Sequence, residues 1–247
     1  MGLKHDDGWS MPTDDSFYPP LPAIYKNVSF QYVFFYADPT AVQKFLPSPL
    51  KAAEDGLCVG AGMAVPVCIN YGPFEESFIV LKCHFRNQTG FYCSHVFHNG
   101  PAGIAAGREI YGTPKIYAEL KVSKSDQSMA TKTSLGGVPV LNIDSTMNTI
   151  PLNKQMPSLN PSWRLKIIPK ADGPGPAIKQ LIDCSKTTQN LEIYDIATGH
   201  GKITFGASPQ CDLTKLSPLA YGNAFYVKCS YIESYAQIAY DYLGDDT

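Results

Sequence analysis

Along most of the chain, aromatic and β-branched residues alternate with polar ones in short runs bounded by turn residues, the pattern of half-buried strands. Val28 to Tyr36 is such a run, as are Leu57 to Val67, Phe78 to Phe85, Phe91 to Phe97, Ile116 to Ser123 and Ser128 to Leu135. Trp163 to Ile168, Leu191 to Tyr194, Lys202 to Phe205 and Ala224 to Tyr235 complete the set. So many short strands predict a mainly β fold with a few short helices, sandwich- or barrel-like in outline. Three segments depart from period two. Asp38-Pro39 supplies an N-cap and a first-turn proline for a short helix through Phe45, stopped at Pro47. Asn99 can cap a second helix over Pro101 to Ile110, which Gly112 and Pro114 end, so that Lys115 falls where a helix hands over to a strand. Pro176 to Cys184 reads as a third helix after the turn-rich Asp172 to Gly175.

Residues 1–24 carry Pro12, Pro19, Pro20 and Pro22 with little periodicity, and predict an extended arm; residues 25–247 then form a single domain. Hydrophobic residues make up 44% of the chain and charged ones 17%, ample for a sizeable core. A formal net charge of −2 without a Lys/Arg block gives no general attraction to nucleic acid or anionic lipid. No apolar run reaches the length of a signal peptide or membrane span, so a soluble cytoplasmic protein is expected. Seven cysteines, an odd number without a CxxC pair, read as reduced and mostly buried thiols.

Chemistry-bearing clusters are few. His95 and His98 look like a metal pair, but on a strand an i, i+3 pair points to opposite faces. Asp38, Asp144 and His200 have no triad spacing with a serine in a nucleophile elbow. Lys115 is better placed, because junctions of this kind lie at the mouths of β scaffolds, where side chains reach a cavity.

The stretch Gly107-Arg-Glu-Ile-Tyr-Gly-Thr-Pro-Lys115 resembles the active-site segment of the acetoacetate decarboxylase-like superfamily, G-R-E-x-x-x-x-P-K with the Schiff-base lysine last. Arg164-Leu-Lys-Ile-Ile-Pro169 followed by Asp172-Gly173, the Leu46-Pro-Ser-Pro-Leu50 segment and the terminal Ala239-Tyr-Asp-Tyr-Leu243 extend the resemblance in the same order over nearly the whole chain. It implies a closed, antiparallel β cone around a central cavity and a homo-oligomer. It also implies imine chemistry at Lys115 without metal or organic cofactor. The family's acidic residue falls on Glu76.

Three positions depart from the decarboxylase pattern. Ile116 stands where a second lysine follows the nucleophile, so apolar surroundings would have to lower the pKa of the amine. A second cavity carboxylate falls on Ala61, and an arginine near Val28. A roomier, more apolar cavity follows, with Val28, Ala61 and Ile116 as substrate contacts and Glu76 handling protons if burial raises its pKa. Tyr111 either offers its hydroxyl to the substrate carbonyl or is packing. Of the adjacent Arg108 and Glu109, at most one faces the cavity, Arg108 being the substrate-binding candidate. Three functions are carried forward. The first is a lyase that decarboxylates a β-keto acid larger or more apolar than acetoacetate; the second is an aldolase-dehydratase using the same lysine. The third is a non-catalytic ligand-binding relative.

Overall fold

The structure, a computed structural model, describes residues 8–150 and 158–244. Apart from two-residue bridges, its strands are β1 (Ala23–Tyr36), β2 (Leu57–Val65), β3 (Phe74–Phe85), β4 (Gln88–His98), β5 (Lys115–Tyr117), β6 (Glu119–Lys124) and β7 (Ser128–Leu135). They continue with β8 (Val138–Thr149), β9 (Ser162–Pro169), β10 (Pro176–Asp183), β11 (Thr188–Phe205), β12 (Ala220–Glu233) and β13 (Gln237–Asp241). Two α-helices, α1 (Pro39–Gln43) and α2 (Pro101–Ala106), interrupt them. The fold is mainly β, as the alternation predicts.

Five elements differ from the sequence reading. Pro176–Asp183 is a strand, not a helix: Ile178, Leu181 and Ile182 mimic helical spacing, but pairing with β9 on one side and β13 on the other overrides it. β8 and β13 are additional strands, and β11 runs unbroken where two short strands are expected. The cap of α2 is Gly100, because the Asn99 side chain instead accepts a hydrogen bond from the Glu75 N–H at 2.8 Å.

The strands make one sheet in the order β13-β10-β9-β4-β3-β2-β1-β12-β11-β8-β7-β6, with β5 on a further stretch of β4. The path is open, and among the described residues no backbone pairing joins β13 to β6 to give the closed cone that the resemblance implies. Pairing is antiparallel except at β4, which β5 and β9 both join in parallel.

The central strands bury both faces. On β1, Val33 and Phe35 enter one cluster with Leu81, Leu141, Ile143 and Trp163, whereas Phe30 and Tyr32 enter a second with Val80, Cys93, Val96 and Tyr111. The layers of the first cluster are pinned by buried polar contacts. Gln31 donates to the Met129 carbonyl (2.7 Å) and Ser145 Oγ (2.6 Å), and accepts from Thr131 Oγ1 (2.7 Å). The second cluster surrounds the cavity.

Candidate functional site

The cavity has a volume of about 740 Å3, within the usual range for small-molecule sites. Its walls are largely aromatic, with Tyr25, Phe30, Tyr32, Phe74, Phe78 and Tyr231 among them. β4 organises its polar end. An extra residue at Ser94 shifts the β3–β4 register between Ile79/His95 and Val80/Cys93, so Cys93 and Val96 face the cavity while Tyr92 and Phe97 face the other cluster. β5 aligns Lys115 with Val96, and β9 aligns Trp163 with Tyr92, which carries Arg164 to the cavity side.

The segment before Lys115 explains the motif. Pro101 starts α2 at its first turn, and over Gly107–Tyr111 the helix widens into a π turn, a feature common at functional sites. Gly112 ends it in the left-handed region at φ 69°, and a Cβ there would lie 2.3 Å from the Lys166 Cα, so only glycine lets the turn seat on β9. Pro114 then prevents helix continuation. Gly107 is required by the lysine: a Cβ would stand 2.8 Å from Lys115 Cδ and Cε. Arg108 lies outside the cavity and its Nη1 donates to the Lys115 carbonyl at 3.1 Å. Glu109 accepts a hydrogen bond from the Tyr18 hydroxyl. Both residues therefore brace the lysine segment.

Lys115 Nζ lies 2.9 Å from Glu76 Oε2, each side chain only 12% exposed, and 5.6 Å from the centroid of the Phe74 ring. Burial alone raises the Glu76 pKa, but Lys115, His98 and Arg164 outweigh it and hold the carboxyl below its ordinary range. The expectation of a raised value is thus reversed, and Glu76 is a carboxylate at neutral pH. His98, fully buried, stacks on Phe74 with centroids 4.2 Å apart, and its Nδ1 accepts the Gly100 N–H at 2.8 Å. That bond leaves the proton on Nε2, 3.8 Å from Glu76 Oε2. Burial first, and Lys115 second, bring the His98 pKa down to about 4, so the imidazole is neutral. His95 is on the opposite face, against Phe45.

The other sequence-selected residues lie as follows. Tyr111 lines the cavity, but its hydroxyl donates to the Ser234 carbonyl at 2.8 Å, and its ring is a shelf 5.5 Å beneath the Arg164 guanidinium. Ile116 aligns with Phe97 and packs against the first cluster, on the face opposite to Lys115. It neither walls the amine nor marks a place from which a second lysine would reach it. Ala61 and Val28 are fully buried and do not line the cavity. Ala61 is flanked in register by Tyr32 and Phe78, whose rings meet 6.5 Å apart, and Val28 is paired with Cys229.

Three cavity residues were not assigned a site role from the sequence. Arg164 opens a segment that carries the family resemblance, but it was given no site role there. Glu233, at the end of β12, is a second cavity carboxylate and accepts from the Tyr25 hydroxyl at 2.9 Å. Tyr71 places its buried hydroxyl there without a hydrogen-bond partner among the described residues. The cavity thiols do not compete as nucleophiles: burial pushes Cys93 up to about 12, and Cys184 and Cys229 to about 11.

The sequence profile of the acetoacetate decarboxylase family matches residues 10–243. Acetoacetate decarboxylase 1 of Bradyrhizobium diazoefficiens is 25% identical over 241 residues, covering 96% of this chain and 94% of that protein. Among solved structures, the acetoacetate decarboxylase of Legionella pneumophila superposes with a TM-score of 0.83 at 20% identity, over 99% of this chain and 98% of that one. The enduracididine biosynthesis enzyme MppR, complexed with the condensation product of pyruvate and imidazole 4-carboxaldehyde, superposes with a TM-score of 0.82 at 20% identity, over 95% of this chain and 97% of that one. At such identities the superpositions establish the fold.

Proposed function

The chain belongs to the acetoacetate decarboxylase family, and from that premise we propose that it is a lyase forming an imine between Lys115 and a keto acid larger or more apolar than acetoacetate. The observation that carries this reading is the Lys115–Glu76 contact of 2.9 Å at the polar end of a large aromatic cavity.

The amine adds to the substrate carbonyl, and the carbinolamine loses its hydroxyl as water to leave a protonated imine. Glu76, a carboxylate on the attacking nitrogen, takes the proton released on addition and returns it to the departing hydroxyl. If the substrate carries a β-carboxylate, cleavage of that carbon–carbon bond expels carbon dioxide, and the bonding pair moves into the iminium to give an enamine. Protonation at carbon and addition of water then return the ketone and the free lysine. The imine is the electron sink, so the reaction needs no metal or organic cofactor. His98, neutral and aimed at Glu76, keeps this corner polar without adding charge. An intact lysine–carboxylate pair also favours catalysis over simple ligand binding.

A second reading uses the same imine. An enamine can add to an aldehyde and lose water, the aldolase-dehydratase outcome. The observation in its favour is Arg164, a cavity guanidinium without a carboxylate partner among the described residues.

The test is carbon dioxide release from 3-oxohexanoate and acetoacetate, with Lys115→Ala as control. Faster release from the longer acid, lost in the variant, supports the first reading. Equal or faster release from acetoacetate, or release that survives in Lys115→Ala, contradicts it.

A further inference from the structure

Arg164 enters the cavity from β9, yet among the described residues it makes no hydrogen bond and no ion pair within 4.0 Å. Its Nε is buried without a hydrogen-bond partner among the described residues, and the guanidinium lies over the face of Tyr111, 5.5 Å from the ring centroid. Burial disfavours its charge, while Cys184 and Cys93, and then Glu233 and Glu76, favour it, neither carboxylate closing to an ion pair. In the same cavity the buried Tyr71 hydroxyl is also without a hydrogen-bond partner among the described residues. Unsatisfied buried donors of this kind are costly, and a structure keeps them where something else completes them. The missing complement is an acceptor-only anion, and the planar fork of a guanidinium matches a carboxylate.

The backbone fixes where that anion would sit. Both parallel neighbours of β4 deliver a cation to the same face: β5 delivers Lys115 level with Val96, and β9 delivers Arg164 one residue past Trp163, which is level with Tyr92. Along β4 these levels are three residues apart, roughly 10 Å. Two long side chains converging from such positions bracket one small molecule, its carbonyl at Lys115 and its anionic end at Arg164.

We propose that Arg164, assisted by the Tyr71 hydroxyl, is the carboxylate-binding residue of this site and that the carboxylate it holds is one the reaction keeps. The inference rests on the imine reading for Lys115. A carboxylate paired with a guanidinium is stabilised as the anion, and that stabilisation is lost when it departs as neutral carbon dioxide. The group at Arg164 therefore orients the substrate and survives into the product. The substrate class is a keto acid with a retained carboxylate: an imine-forming donor for carbon–carbon bond formation, or a β-keto acid bearing a second carboxylate. A substrate larger than acetoacetate fits this arrangement, its retained carboxylate at Arg164 and its carbon chain against the aromatic walls.

Three five-carbon probes test it: 2-pentanone, 2-oxopentanoate and 4-oxopentanoate, each trapped by borohydride on the full chain and quantified by intact mass. None carries a β-carboxylate, so trapping is read apart from turnover. The parent protein should take at least one of the two acids at a half-saturating concentration tenfold or more below that of 2-pentanone, the usual scale of a charge-assisted pair. In Arg164→Gln the preference should fall to near unity, and in Arg164→Lys, which keeps the charge but not the fork, it should survive in part. A parent that traps all three equally overturns the inference alone, as does a preference undiminished in Arg164→Gln. Should Arg164→Gln not fold, an undiminished preference in Arg164→Lys overturns the Arg fork and a reduced one supports it. No trapping of any probe removes the imine reading, and this inference with it.

Discussion

Gly107→Ala separates placement of the amine from stability of the fold. The residue sits at φ −62°, ψ −41°, a backbone that alanine adopts without strain. In a helical position alanine is favoured over glycine by about 1 kcal/mol. The new methyl, however, would stand 2.8 Å from Lys115 Cδ and Cε, and those atoms must retreat by about 0.6 Å to reach ordinary contact near 3.4 Å. Nζ, itself 3.3 Å from the added methyl, is displaced with them from its 2.9 Å contact with Glu76. Since a misplacement of about 1 Å can cost on the order of 10²-fold in rate, the initial rate of borohydride trapping should fall by ten- to a hundredfold. The thermal midpoint should stay level or rise. Trapping at the parental rate would refute the claim that glycine is kept here for the lysine. An equal loss of trapping and thermal stability would show damage to the fold instead.

Three further outcomes follow from the same contacts. Glu76→Gln removes the proton carrier, so imine formation should slow by on the order of 10²-fold with little change in half-saturating probe concentration; stopped-flow trapping at pH 7 reads both, and an unchanged rate counts against the role. His98 has a folded pKa of about 4 against an ordinary 6.5, so its contribution to stability is full above pH 6.5 and is lost as pH falls towards 4, a change on the order of 3 kcal/mol. Glu76, with its value depressed, adds a loss only below about 4.5. Thermal midpoints across this window should fall less steeply in His98→Phe than in the parent, and parallel curves would contradict the assignment. Ile116→Lys should lower stability by about 1–3 kcal/mol, because it turns an ammonium into the first cluster. The pH profile of trapping should not move, and an acid-side shift would show that position 116 does reach the amine.

Legibility in the sequence followed the physics of each signal. The placement of Lys115 at a helix-to-strand junction was readable because glycine and proline at fixed spacing encode the turn before it, whereas Glu76 was placed only through the family resemblance. The strands were readable where one face is buried, and less so where cross-strand pairing decides: Ile178, Leu181 and Ile182 fit either period until β9 and β13 are placed beside them. β8 does have a local sign, the Gly136-Gly137 pair, which turns the chain with φ of 55° and 77° between Leu135 and Val138. Arg164 had none. Its neighbour Trp163 is fully buried, so alternation places Arg164 on the other face, but whether that face meets water or a cavity depends on β4 and its bulge at Ser94. Strand alternation in β5 turns Ile116 away from the amine, since Lys115 is level with Val96 and Ile116 with Phe97.

The central claim is that the Lys115 amine, held against Glu76 at the polar end of an aromatic cavity, is the group that bonds to the substrate carbonyl. Borohydride reduction of the parent protein with 2-oxopentanoate, followed by peptide mapping by mass, tests it most directly. The account predicts one adduct per chain, located on Lys115 and absent from Lys115→Ala; an adduct on any other lysine, or none at saturating probe, would contradict it.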